Sequence, residues 1–476
     1  MKKLIPLFFF LFAFNLLNGQ IPEFWGMTFG GGSNYGIIYK TDENCENQQV
    51  KYDFQRNPGK SPQFGHLCEC GGKLYGLTKD GGPDMSGVLF EYDPVIGKYQ
   101  NKIFFSGLNG FLPMGSLMKA SNGKLYGMTS QGGAAYSMGT PMNFGYGVLF
   151  EYTPATGAYI IKHEFTGLNG SLPYGSLIEV SPGILYGMTS EGGADWATAD
   201  PGPANVGYGV IFKYSISSGT YLKVFDFDGA DHGSAPKGSL MMASDGKLYG
   251  MTKTGGEWGG GCIFDFDPNG KGAPCTRRYS FWSPYDGSIP FGDLVQSGNK
   301  LYGLTSIGGG YVEPAGGNGG TLFEFDITPP EPPAPVIIVV KSKFDNTILE
   351  NGYYPYGSLV LANGKLYGMT YQGGIAPYYG GVLFEYDIAA GTRTKKVDFD
   401  QTTNGGYPLG SLMMASNGKM YGMTSDGATG QGGVIFDYVP GATTVTKLID
   451  FNDPTKGLNP QGSCRVTQAD YSAFVP

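Results

Sequence analysis

The chain has 476 residues, of which 81 are Gly and 31 are Pro, with 14% aromatic and only 15% charged residues. Such a composition belongs to chains of many short strands and tight turns and excludes a helical bundle. The formal charge of −8 at pH 7 comes without basic clusters, which argues against nucleic acid or phosphate-bearing surfaces as partners.

Met1–Gln20 carries two lysines, then LIPLFFFLFAFNLL, then small and polar residues. This reads as a secretory signal peptide (residues 1–20) cut near Gly19 or Gln20, because its apolar core is too short to span a bilayer. Losing Lys2 and Lys3 takes the formal charge from −8 to −10. No later stretch is long and apolar enough for a membrane helix. Residues 21–476 are therefore expected to form one exported domain, extracellular, cell-surface or periplasmic, without membrane insertion and monomeric.

A single unit then recurs. A Tyr-Gly anchor falls at Tyr75, Tyr126, Tyr186, Tyr249, Tyr302, Tyr367 and Tyr421, and FWGMTFGGG places Trp25 in the same slot, which makes eight copies. Their spacing lies close to the ~40–50 residues of propeller blades and above the ~20–29 of leucine-rich coils. Each copy has a first segment like GSLMKA, a second like KLYGMT and a third like GVLFEY. A fourth closes on an aromatic, as in Tyr159–Phe165 and Lys395–Phe399.

The second and third segments are apolar on both faces, as at Leu125, Tyr126 and Met128 or Val148, Leu149, Phe150 and Tyr152. Strands of that kind must be covered on both sides, which radially stacked sheets achieve. The glycine after each anchor tyrosine is expected to admit an aromatic from the next blade. Asn122-Gly123, Asp245-Gly246, Asn363-Gly364 and Asn417-Gly418 are hairpin turns between the first and second segments and hardly vary. Connections after the second segment vary greatly, from Ser130–Tyr146, Ser190–Tyr208 and Ser306–Gly320 down to Ser425–Gly432. All the elaboration therefore falls on one rim, the arrangement of functional loops on a rigid scaffold.

The first copy begins at Phe24 without a GSL segment, while Asn459–Cys464 (NPQGSC) begins a first segment with no successor after Phe451. The expectation is an all-β, eight-bladed β-propeller of four-stranded antiparallel blades, closed by pairing of the C-terminal strand with the N-terminal blade. Thr328–Pro335 (TPPEPPAP) reads as a stiff spacer within the sixth unit.

The recurrent order F-x-G-x-x-G-x-x-P-x-G-S-L, then L-Y-G-x-T-x-x-G-G, then G-V-L-F resembles the GloVer (Gloeobacter/Verrucomicrobia) tandem repeat, which occurs in exported bacterial proteins. Met128 and Leu77 stand where that family favours Thr, and no sorting domain follows Phe451. The resemblance implies export and a repeat architecture and transfers no catalytic residue.

No catalytic signature is legible. The three histidines, His66, His163 and His232, fall in different units and read as structural, and no Ser-His-Asp, HExxH or P-loop pattern occurs. Ser244–Tyr249 resembles a sialidase Asp box only superficially. The best metal candidate is Asp226, Asp228 and Asp231, hard oxygen donors suited to Ca²⁺, against the plainer reading that they cap turns. No other cofactor is expected. Cys262 and Cys275 flank a turn and could form a disulfide between third and fourth strands, while Cys464 could reach Cys68 or Cys70 and Cys45 has no obvious partner.

Aromatics dominate the variable rim: Tyr136, Phe144, Tyr146, Trp196, Tyr208, Trp258, Tyr311, Tyr378 and Tyr379. Their rings suit stacking on sugars or anchoring a protein, or else they pack the loops together. The expected function is that of an exported, non-enzymatic binding or scaffold propeller that takes a glycan or a cell-surface protein on its loop-rich face. A carbohydrate-active enzyme with channel carboxylates and a structural module of a surface assembly are the alternatives.

Overall fold

The structure is a computed structural model that describes residues 23–27, 37–41, 49–54, 67–79, 82–93, 95–96, 98–137, 143–195, 207–270, 275–310, 318–328, 338–346, 348–377, 379–414, 418–427, 433–450 and 465–467. Every described strand belongs to a four-stranded antiparallel sheet, and the chain is an all-β propeller with four-stranded antiparallel blades. Seven sheets are built from four consecutive strands each, spanning 68–104, 118–164, 178–226, 241–280, 295–343, 360–398 and 413–450. The remaining sheet is composite. It joins Glu23–Met27, Ile37–Thr41 and Gln49–Asp53 to Arg465–Thr467, with Phe24 opposite Val466.

Apolar clusters alternate with the sheets, which explains why second and third strands need no polar face. Tyr126, Met128, Leu149 and Phe165 of one sheet pack on Leu177, Leu185, Phe212 and Tyr214 of the next. Trp25, Ile38 and Phe54 of the composite sheet pack likewise on Leu74, Val88 and Phe90. On the composite sheet's other side, Tyr39 OH donates to Met423 Sδ at 3.4 Å. First strands of neighbouring sheets approach one another, so they lie nearest the axis.

The glycine of each Tyr-Gly pair serves a different neighbour from the expected one. A Cβ on Gly127 would lie 2.6 Å from the Phe150 ring and 2.9 Å from Leu117 Cδ2, and Gly187, Gly250 and Gly368 meet Phe212, Phe264 and Phe384 in the same way. Gly127 sits opposite Phe150 in the ladder, so the aromatic comes from the same blade, because directly paired residues project on the same face.

Six of the eight sheets also bury a third-strand carboxylate, while Lys213 and Lys40 stand at that position in the other two. Tyr75 OH and Lys73 Nζ donate to Glu91 at 2.6 and 2.8 Å, and Lys102 lies 3.2 Å away. The same arrangement recurs at Tyr302, Lys300 and Glu324 and at Tyr367, Lys365 and Glu385. Burial pushes the Glu91 carboxyl up, but hydrogen bonds from Lys73 and Tyr75 outweigh it and hold the group below its ordinary range. Such a network specifies register, since a one-residue slip would strand a charge in the core.

The disulfide expectation fails on register. Cys262 pairs with Ser280 and Cys275 with Phe266, so the two lie at opposite ends of the hairpin, about 14 Å apart along the strand at ~3.4 Å per residue. Both remain buried thiols, because a disulfide needs Cα atoms within about 7 Å. Cys45 and Cys464 lie outside the described residues. His163 is structural, as its sequence context suggests. Its ring stacks on Tyr221 at 3.4 Å, and its Nε2 lies 2.9 Å from Asn169 Nδ2.

Two outcomes are expected. Gly127→Ala should destabilise the protein by about 1–3 kcal/mol through overpacking against Phe150, read as a lowered thermal midpoint. Burial lowers the His163 pKa to about 4, whereas an unfolded histidine titrates near ~6.5. A depressed folded value means that its contribution is complete above pH ~6.5 and is lost as pH falls from there through 4. His163→Phe, which installs the residue found at the matching Phe225, should flatten that loss in urea midpoints taken at pH 7 and pH 4.5.

Candidate functional site at the axis

The inter-sheet corners F-x-G-x-x-G-x-x-P meet the second-to-third connections on one face of the propeller. Bridges Phe111↔Gln131, Ser171↔Glu191, Ser234↔Thr254, Ser288↔Ile307 and Tyr353↔Gln372 stitch the two loop types together. In each corner the residue before proline adopts a left-handed conformation, at φ +51° for Leu172, +53° for Ala235 and +59° for Tyr354. That geometry costs a non-glycine residue about 1–2 kcal/mol. It is held because the same N–H reaches back to the preceding blade, as Leu172 does to Tyr146 O at 3.2 Å and Tyr354 to Gly319 O at 2.8 Å. The following proline then packs on a glycine, Pro173 against Gly147.

Each described corner ends in an x-Gly-Ser step at the axis, or x-Gly-Asp at Asp293, where the blades are bonded into a belt. Ser116 N–H donates to Ser176 Oγ (3.4 Å), and Ser176 N–H donates to Ser239 Oγ (3.2 Å). Ser239 N–H donates to Asp293 Oδ1 (2.7 Å), Asp293 N–H to Ser358 Oγ (2.9 Å) and Ser358 N–H to Ser411 Oγ (2.8 Å). The glycines stack backbone on backbone: a Cβ on Gly175 would lie 2.5 Å from Gly238 O, and one on Gly357 2.5 Å from Gly410 O. The matching positions His66 and Ser463 lie outside the described residues.

Inside this belt lies a cavity of about 620 Å³ on the loop-rich face. Its side chains come from the position before each glycine: Met114, Tyr174, Lys237, Phe291, Tyr356 and Leu409. Aromatic rings continue outward, with centroids 5.5 Å apart for Phe291 and Tyr356, 5.6 Å for Tyr356 and Tyr371 and 5.2 Å for Tyr371 and Tyr407. Lys237 Nζ lies 3.5 Å from the Tyr174 ring centre, and Lys253 Nζ lies 5.2 Å from that of Phe291. Burial lowers the Lys237 pKa to about 8, with Glu191 opposing the shift and Lys253 adding to it. Asp293 is the carboxylate of the lining. It is open to solvent within the cavity yet walled by protein, and that desolvation pushes its pKa up against the Ser239 N–H.

The rim aromatics named from sequence do not converge. Tyr136 covers Gly107 and packs on Phe111 (5.8 Å), and Phe144 stacks on the same ring (6.1 Å). Tyr146 packs against a blade interface, Tyr208 covers Gly229, and Tyr379 sits half-buried in its loop. Trp258 is exposed and stacks on Trp282 at 4.9 Å. Trp196, Tyr311 and Tyr378 lie outside the described residues.

The acidic trio is also occupied locally. Asp226 Oδ1 accepts from Ala194 N–H and Lys223 Nζ, both at 2.8 Å, while Asp228 accepts from the N–H groups of Asp231 and His232 and contacts His232 Nδ1. Asp231 lies 3.5 Å from Arg277. Among the described residues no group of three or more His, Cys, Asp or Glu is placed to hold a metal ion.

The axial lining was missed because GSL was read only as a strand marker. A signal was present. Gly-Ser recurs almost unchanged while the residue before it runs through Met, Tyr, Lys, Phe, Tyr and Leu, a fixed backbone carrying varied chemistry.

Several solved structures are similar to the chain. A putative 6-phosphogluconolactonase from Bacteroides fragilis is 15% identical, with 84% of this chain and 99% of that one covered and a TM-score of 0.45. The β-propeller domain of the trilobed protease from Pyrococcus furiosus is 10% identical over 82% and 99%, with a TM-score of 0.43. A puromycin hydrolase is 11% identical over 84% of this chain and 57% of that one, with a TM-score of 0.46. Scores of this size carry no argument about activity. No curated protein matches the chain. The Gloeobacter/Verrucomicrobia repeat matches residues 14–199, 196–332 and 315–474, and the chain belongs to that family.

Proposed function

We propose that this protein is an exported, non-enzymatic binding propeller that takes a glycan in the axial cavity of its loop-rich face, with the composite sheet completing an eight-bladed ring. One observation carries the reading: a cavity of about 620 Å³ whose wall combines the rings of Tyr174, Phe291 and Tyr356 with polar groups, set in a hydrogen-bonded belt. That volume falls in the range of small-molecule sites, ~300–1,000 Å³. Aromatic faces beside hydroxyls, an amine and a carboxylate match the alternating apolar faces and hydroxyl edges of sugar rings. The belt supports this use because a wall fixed by backbone contacts has little left to order on binding. Export is supported by the lysine-led apolar segment of Met1–Gln20.

A glycan array with the mature protein, followed by calorimetry, should identify a sugar ligand. Phe291→Ala and Tyr356→Ala should each weaken it by roughly tenfold, the equivalent of ~1.4 kcal/mol, without moving the thermal midpoint by more than a few degrees. Unchanged affinity in both variants would remove the cavity from the binding site.

A further inference from the structure

We infer that the axial cavity is selective for acidic sugars, holding a uronate carboxylate between Lys237 and Lys253 while the sugar ring lies against Phe291 and Tyr356. The inference rests on the proposed glycan-binding reading and adds the ligand's charge.

Its ground is a departure from the repeat. Where Lys237 stands, other blades place Met114, Tyr174, Phe291, Tyr356 and Leu409. Where Lys253 stands, they place Ser130, Ser190, Ser306, Ser425 and Tyr371, with Lys79 the other lysine. Those serines close the corner by donating to a backbone carbonyl, as Ser190 Oγ does to Pro236 O at 2.6 Å and Ser306 Oγ to Pro355 O at 2.9 Å. The scaffold therefore asks for no cation at either position. One blade alone, the 241–280 sheet with its corner, carries lysine at both.

The two cations also differ from the lysines that pair inside the sheets. Lys73, Lys247, Lys300, Lys365 and Lys419 each sit within 3.1 Å of a carboxylate inside a sheet. Lys237, in the cavity lining, lies over the Tyr174 ring, and Lys253 lies over that of Phe291, itself a lining residue. The charges facing them are Glu191, which acts on Lys237 through space, and Asp293, whose Oδ1 is taken by Ser239 N–H. Burial pushes both carboxyls up, which weakens the hold of these acids on the lysine pair. An ammonium pair beside aromatic faces recognises a ring that bears a carboxylate.

The test compares glucuronate-, galacturonate- and mannuronate-terminated oligosaccharides with their neutral counterparts by calorimetry on the mature protein. The variants are Lys237→Met and Lys253→Ser, residues that other blades already hold at those positions, with thermal midpoints as the folding control. The acidic sugar should bind at least ~10-fold tighter than its neutral partner, and each variant should erase most of that ratio. Wild-type preference should also fall as pH rises through about 8, where Lys237 loses its proton, and Lys237→Met should not show that fall. Equal binding of acidic and neutral sugars, or a preference that survives in both variants, overturns the inference and leaves glycan binding intact. Binding of neither class contradicts the proposed function itself.

Discussion

The structure depends on the contact between neighbouring x-Gly-Ser steps at the axis. Gly175 and Gly238 approach so closely that no Cβ fits between them, and the serine N–H of one blade meets the serine oxygen of the next. Backbone touching backbone fixes the distance between blades in a way that side-chain packing, which can repack, does not. The loop face inherits that rigidity, since every corner that carries a rim loop ends in the belt.

The belt also explains where variation is tolerated. Inside a blade, Gly127 must accept Phe150 and Glu151 must meet Tyr126 and Lys124, so change there meets steric or electrostatic penalties. The side chain before the belt glycine projects into the cavity and bonds to nothing in the scaffold ladder. Met, Tyr, Lys, Phe or Leu can stand there without disturbing the ring. A repeat protein thus obtains an asymmetric site from a symmetric frame, because the frame is held by positions that the site does not use.

Much of the architecture was legible because it is local. Period, strand pairs and Asn-Gly turns are set by residues within one unit, and Gly123 (φ +75°) and Gly364 (φ +73°) take the left-handed turn that their sequence asks for. The unpaired first segment at Asn459–Cys464 likewise pointed to the strand Arg465–Thr467 beside Glu23–Met27. Relations across space were not legible. The partner of Gly127 lies in its own blade because ladder register, not blade order, sets the nearest ring, and the same register separates Cys262 from Cys275. The site was misplaced for a related reason: loop aromatics such as Tyr136 and Phe144 are conspicuous in sequence but pack on Phe111, whereas Phe291 and Tyr356 look like strand flanks until the ring brings them together.

The account stands or falls on where a sugar sits. A crystal structure of the mature protein grown with an oligosaccharide that it binds should show the sugar in the axial cavity, one ring face against Phe291 or Tyr356 and the belt serines unmoved. A sugar seated instead on the outer loops, for example across Trp258 and Trp282, with the axial cavity holding only water, would contradict it.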